Sequence, residues 1–303
     1  MTYEELIRSI QEASEKKTIA VAHADDISLF QAAKEAIDLQ LASFIFTGPA
    51  EKMEILAEEA GLTSRQREKI ELVDTSVPKE SAIKAVELIN KGKAHVLMKG
   101  MLSTSVLLKA VLNKEAGLRT GKILSHTAGF SLPGRDKMLF ITDAAMNINP
   151  DLNEKAQIIR NTVEAVKGLG VENPRVAAIA AVETVNPAME ATIHAAALTQ
   201  MNKRGQITGC VVDGPLGFDN AVSEEAALQK GIDSAVAGKA DILLVPDIET
   251  GNVLYKSLTY FGNAVVGGII TGAKAPVILT SRADSVNSKL FSIAMGTGSS
   301  SVH

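Results

Sequence analysis

Tryptophan is absent from this 303-residue chain, cysteine occurs once, and aromatic residues make up 4% of it. A lone cysteine excludes a disulfide framework and a multi-cysteine metal site, and it fits a reducing compartment. So few aromatics leave little with which to stack nucleobases. A formal net charge of −4 removes the electrostatic reason to expect nucleic acid as a partner. No apolar run approaches the roughly 20 residues that a membrane-spanning helix needs. The polar, acidic opening Met1-Thr2-Tyr3-Glu4-Glu5 does not read as a secretory signal. The expectation is a cytoplasmic protein with neither nucleic-acid nor membrane partners.

What is present is an ordinary globular composition, 46% hydrophobic and 22% charged, in a length that suits about two domains. Short apolar strands alternate with helical patterns: strands near residues 18–22, 43–46, 70–73 and 94–98, and helices near 3–16, 27–38, 50–60 and 81–90. Such alternation predicts βαβ units and a parallel sheet. Two strand-like segments, 125–132 and 138–141, then flank Pro133-Gly134-Arg135-Asp136, a hairpin pattern that marks the start of a second domain. Further on, helices are predicted at 151–167, 189–203 and 223–235, and strands at 175–182, 206–212 and 241–245. Residues 213–220 read as a loop, and Gly262, Gly267 and Gly268 as a bend towards a last strand at 275–279.

Three strand ends carry chemistry. The first is Lys99-Gly100-Met101-Leu102-Ser103-Thr104-Ser105, where a glycine lets backbone approach a ligand and hydroxyls open a helix. Lys109, one turn further on, aims a cation at the same place or lies on the surface. The second is Pro246-Asp247-Ile248-Glu249-Thr250-Gly251-Asn252, leading to Lys256. The third is Thr280-Ser281-Arg282-Ala283-Asp284-Ser285, offering a hydroxyl, a planar five-donor fork and a carboxylate within five residues. Taken singly, each is explained as well by helix capping. Ligands nonetheless gather at the carboxyl ends of strands in open α/β sheets, and three such ends argue for an anionic ligand. Gly92-Lys93-Ala94-His95-Val96-Leu97 also echoes Gly238-Lys239-Ala240-Asp241-Ile242-Leu243, as two similar halves would, although six residues also match by chance.

Other chemistries find less support. No Gly-x-Ser-x-Gly elbow is present, and no histidine adjoins an obvious serine partner; His126 has no assignment. Cys210 sits in an apolar run and reads as an inert buried thiol. No metal site is expected, because Asp213, Asp219 and Asp247 more often cap helices or order loops than gather around an ion. Residues 267–274 miss the phosphate-loop pattern, since Ala273 separates Gly272 from Lys274. Anion-friendly loops without a covalent nucleophile suit a reaction governed by positioning and charge stabilisation, or a binding protein for a phosphorylated metabolite.

Three motifs together resemble the phosphate acetyl/butyryltransferase family: Asp213-Gly214-Pro215-Leu216-Gly217-Phe218-Asp219, the 246–252 loop followed by Tyr255-Lys256, and residues 280–285. The resemblance runs from about residue 99 to 290, and the Ser-Arg-Ala-Asp-Ser wording is more like its butyryltransferase branch. It implies an α/β protein of two doubly wound α/β/α domains with an interdomain cleft, like isocitrate and isopropylmalate dehydrogenases. The implied domains are 1–120 plus 269–303, and an inserted 121–268. It implies reversible acyl transfer between coenzyme A and phosphate through a direct ternary complex, without a covalent acyl-enzyme. Coenzyme A is then a substrate rather than a bound cofactor, and the chain acts as a homodimer or higher homo-oligomer. Carried over, Arg282 holds phosphate oxygens, Ser281 bonds the reacting group, and Ser103 and Thr104 line the cleft. Asp247, Thr250, Asn252 and Lys256 are further substrate contacts. Lys109 stands where acetyl-type relatives have a coenzyme A-binding arginine, keeping the charge but losing the bidentate fork. Those relatives place an aspartate where this chain has Ser288, which leaves Asp284 as the nearest carboxylate for the thiol proton. The alternatives are a phosphate acetyltransferase, a metal- and NAD-dependent decarboxylating dehydrogenase, and a non-catalytic acyl-CoA or phosphate binder.

Overall fold

The computed structural model describes residues 1–279 and 284–300. It is a mixed α/β fold whose elements run α1 Tyr3–Glu12, β1 Lys17–Ala22, α2 Ile27–Asp38, β2 Ala42–Gly48, α3 Ala50–Glu59, α4 Ser64–Arg67, β3 Ile70–Asp74, α5 Pro78–Asn90, β4 Val96–Lys99 and α6 Thr104–Val111. The middle of the chain gives β5 Ser125–Ser131, β6 Leu139–Thr142, α7 Leu152–Gly168, β7 Arg175–Ile179, α8 Glu190–Lys203, β8 Val211–Leu216, α9 Phe218–Val222 and α10 Glu224–Gln229. The remainder is β9 Ile242–Leu244, α11 Ile248–Tyr260, β10 Val265–Thr271, β11 Val277–Ile278 and α12 Val286–Ser299.

The chain divides into two compact units. A terminal unit holds Tyr3–Lys122 and Gly267–His303; an inserted unit holds Ile123–Val266 with Met1–Thr2. In the terminal unit the strand order is β3-β2-β1-β4-β11-β10, parallel from β3 to β11 and antiparallel at β10. Strands such as β1, Lys-Thr-Ile-Ala-Val-Ala, are buried along nearly their whole length, as continuous apolar runs in parallel sheets are. Phe30, Phe44 and Phe46 pack edge to face beside them, with ring centroids 4.7 and 5.7 Å apart.

The inserted unit begins with the β5–β6 hairpin, antiparallel as Pro133-Gly134 implies, and continues with parallel β6-β9-β7-β8. Phe130, Leu139, Ile141, Leu243 and Val245 form its core, against which Tyr255 and Leu258 of α11 pack. Asp151 and Glu154 start α7 as a reciprocal capping box.

Three expectations need correction. The strand expected at 206–212 runs instead over Val211–Leu216, so Asp213-Gly214-Pro215-Leu216 is strand rather than loop. Gly205 and Gly209 turn the backbone at φ 75° and 78°. The Asn202 side chain ties the intervening turn by donating to the Ile207 and Cys210 carbonyls and accepting from Val212 N–H. The helix expected at 223–235 is two short helices, because Ser223 is extended at φ −125° and caps the second. Gly267 and Gly268 lie inside β10 rather than in a bend. Their small size serves packing: a Cβ at Gly267 would stand 2.8 Å from the carbonyl carbon of Phe291 in α12.

This contact generates a test. Gly267→Ala forces α12 away from β10, and overpacking of this kind costs about 1–3 kcal/mol. Urea unfolding should show a lowered midpoint, and an unchanged midpoint would contradict the close approach of α12 to the strand.

Candidate functional site

Parallel strands place the loops that follow them at one edge of a sheet, and ligands collect where successive connections leave in opposite directions. In the terminal unit that point lies between β1, which leads outward to β2 and β3, and β4, which neighbours β11 on the other side. The loops after β1 and β4 are stitched together there. Gly100 N–H donates to the Ala22 carbonyl at 2.9 Å, and Met101 N–H to the His23 carbonyl at 2.8 Å. A Cβ on Gly100 would stand 2.3 Å from the His23 oxygen, so only glycine fits.

His23 adopts φ 63°, in the left-handed region. Its buried ring hydrogen-bonds through Nδ1 to Ser81 Oγ at 3.0 Å, and Ser81 Oγ bonds Thr75 Oγ1 at 2.7 Å. Asp26 caps α2 by accepting from Ser28 N–H, while Asp25 pairs with Lys52 at 2.5 Å. The hydroxyl network behind residues 23–26 joins positions far apart in the chain and has no local signal in the sequence.

Ser103 accepts from Val106 N–H as the N-cap of α6 and shares a hydrogen bond with Ser105 Oγ. Thr104 is exposed on the first turn and Lys109 on the last, six residues and therefore about 9 Å along the helix from Ser103. β4 and β11 are parallel neighbours, Leu97 beside Val277 and Met98 beside Ile278, so the chain leaves both at the same sheet edge. Ser281 and Arg282 lie outside the described residues. Asp284 is half-buried, but Ser285 rather than Asp284 caps α12. The Asp284 carbonyl accepts from Lys289 Nζ at 2.7 Å, and Lys289 is buried at 3% exposure. Ser288, one turn into α12, donates its N–H to the Ser285 cap.

In the inserted unit, Asp247 caps α11 by accepting from Thr250 N–H at 2.8 Å. Thr250, Asn252 and Lys256 are exposed along the same helix, Asn252 and Lys256 sharing a face by their four-residue spacing. Gly251 is required by packing, since its Cβ would lie 2.8 Å from the Asp143 carbonyl. The Asp143 carboxylate is itself fully engaged: His126 N–H, Ala145 N–H, Met146 N–H and the Asn147 amide all donate to it. The His126 ring packs 6.1 Å from the Tyr255 ring. Asp219 and Glu183 share Lys230, and Asp213 accepts from Gly214 N–H. The Asp213–Asn220 stretch of the motif is thus largely scaffold.

One polar pair escaped the sequence reading. Lys155 of α7 is 3% exposed, and its Nζ lies 3.0 Å from His194 Nδ1 of α8. Both line a small gap with Ala178, Leu244 and Pro246, beside the carboxyl ends of β7 and β9. Burial lowers the Lys155 pKa most, against the opposing fields of Glu190, Asp247 and Asp151. The carboxylate that caps α11 therefore acts electrostatically on a cation in the core.

Glycine- and hydroxyl-bearing loops at the carboxyl ends of parallel strands are the hallmark of small-ligand-binding α/β proteins. The chain belongs to the phosphate acetyl/butaryl transferase family, whose model matches residues 62–297. It is 55% identical over 279 residues to a Bacillus subtilis protein named probable phosphate butyryltransferase, covering 92% of each chain. It is 47% identical over 293 residues to phosphate butyryltransferase of Clostridium beijerinckii, covering 97% of this chain and 96% of that one. Among solved structures, a branched-chain phosphotransacylase from Enterococcus faecalis V583 matches with a TM-score of 0.83 at 36% identity, over 95% of this chain and 100% of the other.

The histidines give a pH prediction. Burial holds His23, His95, His126 and His194 below the ordinary imidazole value. Between their folded values and the unfolded value of about 6.5 the unfolded chain binds more protons, so stability rises with pH across that window. The melting midpoint should fall reversibly as pH drops from about 7 to 5, before carboxylates titrate. A flat profile there would contradict the desolvated imidazoles.

Proposed function

We infer that the chain catalyses the reversible transfer of a short acyl group, butyryl or a similar straight or branched chain, between coenzyme A and inorganic phosphate. The observation that carries this reading is the family match together with near-complete coverage of phosphate butyryltransferases at 47–55% identity. In the reaction a phosphate oxygen attacks the thioester carbonyl, negative charge develops on the carbonyl oxygen, and the carbon–sulfur bond breaks to give acyl phosphate and a thiolate that takes up a proton. The reverse reaction removes that proton from the thiol.

In this reading Arg282 grips the phosphate and Ser281 donates to the developing oxyanion. Ser103 and Thr104 present hydroxyls from the β4 loop, and Lys109 attracts the phosphates of coenzyme A. Asp247, Thr250, Asn252 and Lys256 contribute from α11, and the substrates occupy a cleft between two doubly wound domains. Asp284 accepts the thiol proton. Because a thiol has a pKa of about 8.5, the thiolate leaves readily and a base matters less than anion binding. Coenzyme A enters as a substrate, no bound cofactor is required, and the working form is a cytoplasmic homo-oligomer.

Two magnitudes separate the roles. Arg282→Ala should lower the release of free thiol from butyryl-CoA, with phosphate or arsenate as acceptor, by about 10²–10³, the size of effect seen on losing one preorganised donor to a developing oxyanion. Asp284→Asn should cost no more than about tenfold, at the weak end of general-base effects. A wild-type rate in Arg282→Ala would remove the phosphate-site assignment. Comparing kcat/KM for acetyl-, butyryl- and isobutyryl-CoA separates this reading from a phosphate acetyltransferase, and binding of coenzyme A with no turnover would leave only a binding protein.

A further inference from the structure

The terminal unit carries a polar hollow at the end of its sheet opposite the loops described above. It has a volume of about 440 Å³ and opens at the amino ends of β1, β2 and β3, within the range of about 300–1,000 Å³ typical of small-molecule sites. Lys16, Arg65 and Lys69 line it, with Asp38 as its one carboxylate. The chain as a whole is net negative, so this concentration of cations runs against the global charge.

The cations come from two chain segments, Lys16 just before β1, and Arg65 in α4 with Lys69 between that helix and β3. Lys16 is fixed by donating to the Ile10 and Gln11 carbonyls at 2.8 and 2.7 Å. Arg65 and Lys69 are exposed, and among the described residues neither side chain has a hydrogen-bonding or ion-pairing partner. Their neighbour Arg67, by contrast, is paired with Glu54. Among the described residues Asp38 forms no ion pair with them, and its Oδ1 accepts from the Gln66 amide at 2.7 Å. Gln40, which also lines the hollow, sits just past the end of α2 at φ 56°, a place where glycine is the least strained residue. Gln40 is kept there instead and lines the hollow with Ser43, whose hydroxyl shares a hydrogen bond with Thr18 Oγ1 at 3.0 Å.

We propose that this hollow binds a compact phosphate compound, a phosphate monoester or diphosphate, at a site separate from the acyl-transfer loops. Arginine and lysine together with amide and hydroxyl donors form a phosphate-recognition set. No aromatic side chain lines the hollow, so it has no platform for a nucleobase, which favours a small ligand over a nucleotide. The site is independent of the acyl-transfer assignment, since none of its residues belongs to the loops after β4, β9 or β11.

Calorimetric titration with inorganic pyrophosphate tests it. Arg282→Ala protein is the background, so that binding at the proposed catalytic phosphate site is suppressed. One saturable site with Kd below about 1 mM is expected, and Arg65→Glu/Lys69→Glu should weaken it at least tenfold. Both side chains are exposed, so the fold should persist, and the milder Arg65→Gln and Lys69→Gln variants should weaken binding in the same direction. Placed in the wild-type background, the charge reversal should leave basal thiol release unchanged. The proposal is overturned by equal pyrophosphate affinity in the charge-reversed protein, or by no saturable binding in its parent. It is also overturned by loss of basal turnover, which would merge the hollow with the catalytic machinery, or by a changed oligomeric state, which would make it a subunit contact.

Discussion

The terminal unit turns on the contact between Gly100 and the end of β1. Two backbone hydrogen bonds, from Gly100 and Met101 to the Ala22 and His23 carbonyls, lock the loop after β4 against the loop after β1. The bonds require the two backbones to approach so closely that no Cβ can intervene. Once that distance is set, His23 is held in a left-handed conformation with its ring on Ser81, and α6 begins at a fixed point with Ser103 as its cap. The hydroxyls and the glycine in this loop therefore do different work. Glycine decides where the backbone lies, and the hydroxyls then stand at the edge that the backbone defines.

Much of this was legible locally. A Pro-Gly turn between two apolar segments announces a hairpin, and β5 and β6 pair antiparallel as it requires. Apolar runs such as Ile19-Ala20-Val21 announce buried parallel strands. The errors share a cause. Gly267 and Gly268 were read as a bend because a glycine that serves packing looks, in one dimension, like a glycine that serves a turn. Only the position of Phe291, two dozen residues later, tells them apart. Asp213-Gly214-Pro215 reads as loop chemistry, yet Asp213 lies in β8 in register with Ala177 of β7. There the neighbouring strand supplied the backbone partner, and tertiary pairing overrode local propensity.

The sequence displayed polar residues after strands, but not which of them do more than cap a helix. Capping and ligand binding draw on the same residue types, and the structure shows Ser103, Asp247 and Ser285 all acting as caps. Capping does not remove them from a ligand's reach, because a capped helix start still directs its remaining N–H groups outward. What no local pattern displayed is the placement of buried cations. Lys155 meets His194 from another helix, and Lys289 reaches back to the Asp284 carbonyl at the start of α12. Each is a lysine on an ordinary helical stretch whose burial depends on what packs over it. Burial disfavours the charged form of a lysine, and at Lys155 that desolvation outweighs the opposing fields of Glu190, Asp247 and Asp151.

Those fields also bear on the kind of chemistry the described residues can support. The Cys210 thiol is pushed up to about 11 by burial, which leaves it protonated near neutrality and unfit as a nucleophile. The imidazoles of His23, His126 and His194 are held below their ordinary value, which makes each a weaker base than free imidazole. Activated nucleophiles and strong bases are thus disfavoured by the same desolvation that stabilises the fold. Exposed donors and cations escape this penalty, since desolvation acts only on buried groups. Acyl transfer to phosphate has a good leaving group and a nucleophile that is already anionic. It demands that two negatively charged substrates be brought together and that charge on one oxygen be stabilised, a demand suited to preorganised hydroxyls and cations rather than to a covalent nucleophile.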